Sequence, residues 1–268
     1  MDTGLKQKQH LLPEFYLEQW VDRATVGPKK TPMVWVIAKD GQRGELKAVG
    51  KSVFYRHYFY DLLSNTGKRD QSLENTLSKI ESASAKVIKE RIPNKEALDQ
   101  DEADAIDLFV ACMFMRTERK RKSVRDFVLT KSRIEKDYAQ EYGKSIPDTS
   151  LDEDNAHPFA VFTAIEVISA EIMAMGHVVL VAPEGHFFVT SDDPCVWAAN
   201  GPVGLRNPTI TITLPLSPSH LLHISRTAAS GYLDATDQDV DEMNRRTILG
   251  SEKYFISSLR EIDPRWLK

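Results

Sequence analysis

Four polar residues that are far apart in the sequence could carry chemistry, and they are His10, Glu81, Arg116 and Asp192. A neutral imidazole can act as a base or a metal ligand, and a carboxylate can act as a base or hold a divalent ion. A guanidinium can bind phosphate or stabilise developing negative charge. We therefore predict catalytic roles for His10, Glu81 and Asp192. For Arg116 we predict a role in substrate binding.

His10 lies just before Pro13, a residue that can open a helix because the first turn does not need its missing N–H. Tyr16, Leu17 and Trp20 follow at a spacing that predicts a helix with one face toward the core. The positive end of that helix would disfavour an imidazolium at His10 and keep the ring neutral. The alternative is that His10 only ties the N-terminal arm to the rest of the protein.

Arg116 ends a long apolar stretch, so its guanidinium cannot easily reach water and needs a carboxylate partner. Glu81 and Asp192 are the candidates. Glu81 lies on a predicted amphipathic helix, where it either is solvated or points into a seam and meets a cation. The resulting ion pair would either bind substrate or only orient the helices.

Asp192 and Asp193 follow a predicted strand and precede Pro194. Loops that leave a sheet are common places for functional residues. Two adjacent carboxylates could bind a divalent metal ion, so both are candidate metal ligands and such an ion is a candidate cofactor. The alternative is an Asx-type turn that only shapes the loop.

A strongly basic segment follows the apolar stretch and contains Arg116, Arg119, Lys120, Arg121, Lys122, Arg125, Lys131 and Arg133. Such a cluster can bind the phosphates of a nucleic acid or a nucleotide, so we predict substrate-binding roles for Arg119, Arg121 and Lys122. The segment also contains acidic residues and few aromatic ones. It is therefore also compatible with a solvated helix face or with contact to a protein partner.

The elements that must position these residues are mainly helical in the first part of the chain. Apolar periodicity, caps and turn residues predict a hairpin of strands over 33–38 and 45–49, a helix from Ser72 to Pro93, and a buried central helix from a capping box at Asp99 and Glu102 to Met115. The second part has more strand character. There the patterns predict a helix from Pro158 to Gly176, a hairpin of 177–182 and 187–190, strands over 209–214 and 221–225, a helix from a cap at Asp237 to Leu249, and a strand over 254–257.

This order of elements predicts an α+β fold, in which a helical N-terminal part with a buried central helix packs on a mainly antiparallel C-terminal sheet. We expect a single domain over residues 1–268. It has a candidate subdivision into 1–146 and 156–268, because Pro147 to Asn155 reads as an acidic, turn-rich linker.

Four segments occur along the chain in a characteristic order: His10-x-x-Pro13-x-Phe15-Tyr16-Leu17; Leu73-Glu74 through Ser78-Lys79-Ile80-Glu81; the apolar helix ending in Met115-Arg116-Thr117; and Thr190-Ser191-Asp192-Asp193-Pro194 followed by Leu214-Pro215-Leu216-Ser217-Pro218. The ordered set resembles the bacterial and fungal family called domain of unknown function 4238. The resemblance implies a shared fold. It brings no established reaction, so the chemistry must be argued from the residues.

Composition and missing motifs exclude several classes. The net charge of −4 argues against a generally basic nucleic-acid binder, and no apolar run is long enough to span a membrane. The two cysteines lack metal-type spacing and favour a reduced, cytoplasmic protein. The Walker, GxGxxG, HExxH, CxxC and GxSxG motifs do not occur, and no acid-x-Lys pair of the restriction-nuclease type follows Asp192.

Two functional hypotheses remain. In the first, the protein is a hydrolase or nuclease that acts on a phosphate-containing substrate at a polar site between helices and sheet. In the second, it is a non-catalytic interaction or regulatory module whose buried polar residues are structural. Exposure separates them, because a polar network that opens to a pocket favours chemistry and one sealed under aromatic rings favours structure.

Overall fold

Antiparallel sheets and a set of helices make up the computed structural model, which describes residues 4–143 and 153–267. The helices are α1 (Glu14–Leu17), α2 (Ser72–Lys86), α3 (Gln100–Met115), α4 (Glu118–Tyr142), α5 (Glu153–Ile172) and α6 (Asp237–Gly250). The strands are β1 (Lys8–His10), β2 (Met33–Ala38), β3 (Gly44–Ala48), β4 (Tyr55–His57), β5 (Leu62–Leu63), β6 (Arg69–Asp70), β7 (Gly176–Val181), β8 (Thr190–Ser191), β9 (Val196–Ala198), β10 (Thr211–Ser217), β11 (His220–Ser225), β12 (Gly231–Asp234) and β13 (Tyr254–Ser257). The predicted α+β class is confirmed.

The strands form two larger sheets and two small ribbons. The five-stranded sheet has the order β12-β7-β11-β10-β9, and β12 pairs with β7 in parallel while the other neighbours are antiparallel. The four-stranded sheet, in the order β3-β2-β13-β8, is antiparallel throughout. It joins the β2–β3 hairpin to two strands from the second half of the chain, β8 and β13. The ribbons are β1 with β4 and β5 with β6.

The predicted hairpin between 177–182 and 187–190 is wrong. Strand β7 pairs with β11 and β12. Of the second segment only Thr190 is in a strand, which continues to Ser191 and pairs with β13. The side-chain amide of Asn244 replaces a strand partner here. It accepts the Val189 N–H at 2.9 Å and donates to the Phe187 carbonyl at 2.8 Å. The segment is therefore held by a helix residue and not by β7.

Several helix ends differ from the predictions. After Pro13 only one α-helical turn forms, and Glu18–Trp20 continue as a 3-10 turn. Ser72 is the first residue of α2 and not its cap, and that helix continues through a π-helical turn over 87–91 to a 3-10 turn that contains Pro93. Thr236, and not Asp237, caps α6. The capping box of α3 is confirmed.

The ends of α5 also differ from those of the predicted helix between Pro158 and Gly176. Pro158 lies inside α5 and does not open it, and the helix ends at Ile172, so Gly176 is already the first residue of β7. Most of the predicted linker from Pro147 to Asn155 lies outside the described residues. Its last three residues, 153–155, belong to α5.

The core is organised around α3, as predicted for the central helix. Phe109, Val110 and Ala111 of α3 are completely buried in the largest hydrophobic cluster, which also contains Leu77 of α2 and Leu214 of β10. Helix α4 contrasts with this, since none of its residues is buried. Among the described residues, no helix is long and apolar enough to cross a membrane.

Candidate functional site

Arg116 lies at the C-terminal end of α3 and is almost completely buried, with 1% of its surface exposed. Its Nη1 atom donates to Oε1 of Glu81 at 2.7 Å, and its Nη2 atom donates to the main-chain carbonyl of His10 at 2.6 Å. Burial alone would lower the pKa of Arg116, but Glu81, Tyr60 and Cys112 together outweigh burial, and the pKa is raised. The ion pair that the sequence analysis expected for Arg116 is therefore made with Glu81.

Tyr60 is also part of this network and contacts both Arg116 and His10. Its hydroxyl donates to the carbonyl of Arg116 at 2.8 Å and lies 3.2 Å from the carbonyl of His10. The guanidinium carbon of Arg116 is 5.8 Å from the centre of the Tyr60 ring. Because the guanidinium is sealed beneath an aromatic ring, the geometry favours a structural role that fixes α3 against β1 and α2.

His10 and Glu81 remain partly open to solvent. They line a shallow pocket of about 270 Å³ together with Glu14, Phe15, Ser82 and Ala85. Nε2 of His10 lies 3.2 Å from Oε1 of Glu14. Burial lowers the pKa of His10 although Glu14 opposes the shift, which agrees with the neutral imidazole expected from the sequence.

Asp192 clamps two segments of backbone together. Its Oδ1 atom accepts the N–H of Glu252 and its Oδ2 atom accepts the N–H of Lys253, both at 2.8 Å. These bonds tie the loop after β8 to the turn between α6 and β13. Burial raises the pKa of Asp192, and the backbone hydrogen bonds oppose that shift. The turn-shaping alternative therefore describes Asp192 better than the catalytic one.

The predicted metal site and the predicted single site are not assembled. Asp193 forms its ion pair with Arg119, so the two adjacent carboxylates have different partners. Across residues 4–143 and 153–267, no group of three or more His, Cys, Asp or Glu side chains is placed to hold a metal ion. The pocket lined by His10 and Glu81 shares no lining residue with the pocket lined by Asp193. Convergence of His10 with the 192–193 loop is therefore not observed.

Asp193 is a buried carboxylate with only one of its two oxygens in an ion pair. Its side chain is 6% exposed, and one oxygen lies 3.2 Å from Nε of Arg119. The other oxygen, Oδ1, is buried and has no hydrogen-bond partner within the described part of the chain. Burial raises the pKa of Asp193 to about 6, although the positive charges of Arg119 and Lys120 oppose the shift.

Asp193 lines a pocket of about 230 Å³, which we call the Asp193 pocket; its other lining residues are Phe114, Arg119, Lys120, Cys195, Val196, Trp197, Val203 and Gly250. Its walls come from the α3–α4 junction, β9 and the end of α6, so it lies between helices and sheet. The Phe114 ring stacks on Trp197, with ring centres 3.8 Å apart, and Nζ of Lys120 lies 3.6 Å from the centre of the Phe114 ring.

Two further groups in the Asp193 pocket have altered acidity. Burial lowers the pKa of the Lys120 ammonium, although Asp193 opposes the shift. Burial raises the pKa of the Cys195 thiol to about 12, so this thiol stays protonated at neutral pH. Of these residues, the sequence indicates only Lys120, as part of the basic segment, and local patterns do not point to Cys195 or Trp197.

The cations predicted to bind substrate lie in three different places in the structure. Arg116 is in the sealed network and Arg119 is in the Asp193 pocket, whereas Arg121 and Lys122 line an open pocket of about 440 Å³. We call this third place the basic pocket; its other lining residues are Arg56, His57, Phe59, Glu118 and Arg125. Nη1 of Arg121 donates to the Phe59 carbonyl at 3.0 Å, and its guanidinium carbon lies 4.6 Å from the centre of the Phe59 ring.

Comparison with known proteins places the chain in a family. One family model, described as "Protein of unknown function (DUF4238)", matches residues 8–261. The chain belongs to this family. Membership in DUF4238 confirms the resemblance read from the four ordered segments, and it supplies no reaction. No curated protein and no solved structure matches the chain. For this DUF4238 protein the function must therefore be argued from the pockets themselves.

Proposed function

We propose that this DUF4238 protein is a hydrolase of phosphate esters that acts in the Asp193 pocket. The observation that carries the proposal is the buried oxygen of Asp193 that has no hydrogen-bond partner among the described residues, beside two cationic side chains. Buried polar atoms without partners are rare because each costs free energy, and carboxyl groups with a strongly raised pKa concentrate at functional sites. Arg119 and Lys120 supply the positive charge that a phosphate needs.

Each charged residue of the Asp193 pocket has a separate role in the proposed hydrolysis. Arg119 and Lys120 hold the phosphate oxygens. The Asp193 carboxylate takes a proton from a water molecule while the water oxygen forms a bond to phosphorus. The bond from phosphorus to the leaving oxygen breaks, and the ammonium of Lys120 gives that oxygen a proton. Water then removes the proton from Asp193 and returns one to Lys120.

The dimensions of the pocket limit the substrate. A volume of about 230 Å³ is below the roughly 300 Å³ at which most ligand pockets begin, so it has room for a phosphate and a small neighbouring group. The stacked rings of Phe114 and Trp197 form an apolar wall suited to a flat or aliphatic part of the substrate. A nucleotide or the end of a nucleic acid would satisfy both requirements if only its phosphate and the nearest part of the sugar enter the pocket, and in the latter case the enzyme would be a nuclease.

The test is hydrolysis of p-nitrophenyl phosphate and bis(p-nitrophenyl) phosphate by the purified protein. We expect turnover of at least one of them. Asp193→Asn should lower kcat by about a hundredfold or more, the usual effect of losing a general base. Asp126→Asn, on the exposed part of α4, is the matched control and should leave kcat unchanged. Wild-type turnover by folded Asp193→Asn, or no turnover of either compound, would contradict the proposal.

The alternative function is a non-catalytic interaction module, and one observation favours it. The side chains of Arg116, Glu81 and Asp192, three of the four residues first selected for chemistry, are engaged in internal hydrogen bonds. Such contacts suit a network that holds helices and sheets in place. The same assays separate the two functions, because a module would be folded and inactive toward both phosphate compounds.

A further inference from the structure

A second surface, near the basic pocket, carries cations interleaved with partly exposed aromatic rings. We call it the aromatic strip and define it as Lys8, Tyr55, His57, Tyr58 and Arg69. Consecutive members are in contact. The ring centres of Tyr55 and His57 are 5.7 Å apart, and those of His57 and Tyr58 are 6.4 Å apart. At the two ends, Lys8 Nζ is 5.1 Å from the Tyr55 ring centre and the Arg69 guanidinium carbon is 4.0 Å from the Tyr58 ring centre. None of the five is buried.

The backbone holds these rings in fixed positions. The β1–β4 ribbon places Lys8 opposite His57. At the end of β4, Tyr58 has a φ of 55°, in the left-handed region that bulky residues rarely adopt. Its N–H donates to the carbonyl of Gln7 at 2.9 Å, which helps to hold this conformation. Strained backbone of this kind occurs preferentially at ligand-binding places.

The aromatic strip joins the basic pocket at His57, which belongs to both. The basic pocket brings together the cations Arg56, Arg121, Lys122 and Arg125. Its one lining carboxylate, Glu118, is already neutralised by Arg56 at 2.7 Å and by Lys253 at 2.8 Å. Arg125 pairs with Glu153 at 3.0 Å and Arg69 pairs with Asp61 at 3.5 Å. The excess positive charge of the region is therefore carried mainly by Arg121 and Lys122, in a chain whose net charge is −4.

We propose that the aromatic strip and the basic pocket together bind single-stranded nucleic acid without sequence preference. Unpaired bases would stack on Tyr55, His57 and Tyr58, and the phosphates that follow would enter the basic pocket. Duplexes keep their bases stacked inside and cannot use the rings. The surface shares no residue with the Asp193 pocket, so the proposal does not depend on the proposed hydrolase activity.

The proposed binding needs both the aromatic strip and the basic pocket. A basic pocket alone would attract any polyanion, including an acidic peptide. Aromatic rings alone would not recognise a phosphate backbone. The combination distinguishes single-stranded nucleic acid from both an acidic peptide and a duplex, and each of these becomes a competitor in the test.

The test is fluorescence anisotropy of fluorescein-labelled 20-nucleotide oligo-dT and oligo-dA with the full chain at low and moderate salt. We expect both to bind with similar affinity and binding to weaken as salt rises. Unlabelled duplex of the same length and polyglutamate should compete poorly. Equal or better competition by either one would overturn the proposal, as would the absence of salt-sensitive binding at low ionic strength.

Charge variants test whether the cations of the basic pocket bind the oligonucleotide. Lys122→Glu with Arg125→Gln should weaken binding by about tenfold or more and flatten its salt dependence. The matched control is Lys136→Glu with Arg133→Gln, which makes the same charge change on exposed residues farther along α4 and should bind like the wild type. An equal loss of affinity in the two pairs would mean that net charge and not this surface controls binding, and would overturn the proposal.

The aromatic half has its own variants. His57→Ala removes an exposed ring, and Tyr58→Gly removes a ring while suiting the left-handed backbone, so both should fold. Each should weaken binding roughly five- to hundredfold, the usual effect of losing one stacked base. Circular dichroism would verify folding. Unchanged affinity in both folded variants would exclude stacking and contradict the inference.

Discussion

The Nε atom of Arg119 lies 3.2 Å from a carboxylate oxygen of Asp193. This ion pair joins the first turn of α4 to the loop after β8, two elements that are distant in the sequence. It uses one oxygen of Asp193 and leaves the other buried without a partner in the described part of the chain. Asp192 differs, because both of its carboxylate oxygens accept backbone N–H groups.

The first prediction concerns the pH dependence of hydrolysis. A general base must be ionised to act, and the pKa of Asp193 lies at about 6 because of its burial. For the compound that is turned over, kcat/KM should rise with pH through about 6 and then level off. The measurement is a pH–rate profile between pH 5 and 8. A flat profile across this range would show that Asp193 does not control the rate.

The second prediction concerns Asp192. Asn keeps one acceptor oxygen, so Asp192→Asn loses the hydrogen bond to the N–H of either Glu252 or Lys253. We expect the free energy of unfolding to fall by about 1–3 kcal/mol, measured by urea denaturation, with kcat unchanged. Asp40→Asn, in an exposed turn, is the control and should change little. A fully stable but inactive Asp192→Asn would restore the catalytic role that the sequence first indicated.

The third prediction concerns the buried ion pair. Glu81→Gln leaves the guanidinium of Arg116 buried and without a counter-charge, so the free energy of unfolding should fall by about 3 kcal/mol. Glu90→Gln, on the exposed side of the π-helical turn that follows α2, is the control. Replacing both members, with Arg116→Met and Glu81→Gln, should recover part of the loss in a double-mutant cycle. A loss below about 1 kcal/mol for Glu81→Gln would contradict the structural role.

The fourth prediction concerns Glu74, whose pKa burial raises to about 7. Between about pH 4.5 and 7 the folded state then binds more protons than the unfolded state, so stability falls as pH rises through this window. Glu74→Gln should remove that fall and be more stable than the wild type at pH 8, by roughly 2 kcal/mol. Below pH 4 the two proteins should unfold alike. Identical pH–stability curves throughout would show that Glu74 does not titrate in this range.

Several features were determined by the sequence itself because they depend on local energetics. The Asp99–Glu102 capping box pairs side chains with the unpaired N–H groups at the start of α3, whatever the surroundings. The apolar run of α3 must be buried, which places it at the centre. A guanidinium at the end of such a run needs a carboxylate, so the ion pair of Arg116 could be predicted although its partner could not.

The tertiary structure alone decided which surfaces meet. Asp192 and Asp193 are adjacent in the bend that follows β8, yet one carboxylate accepts backbone N–H groups and the other pairs with Arg119. Successive cations of α4 likewise spread around the helix into different pockets. His57 of β4 lines the basic pocket together with residues of α4, although these two elements are far apart in the sequence. Such contacts depend on packing between distant elements, which no local pattern in the sequence specifies.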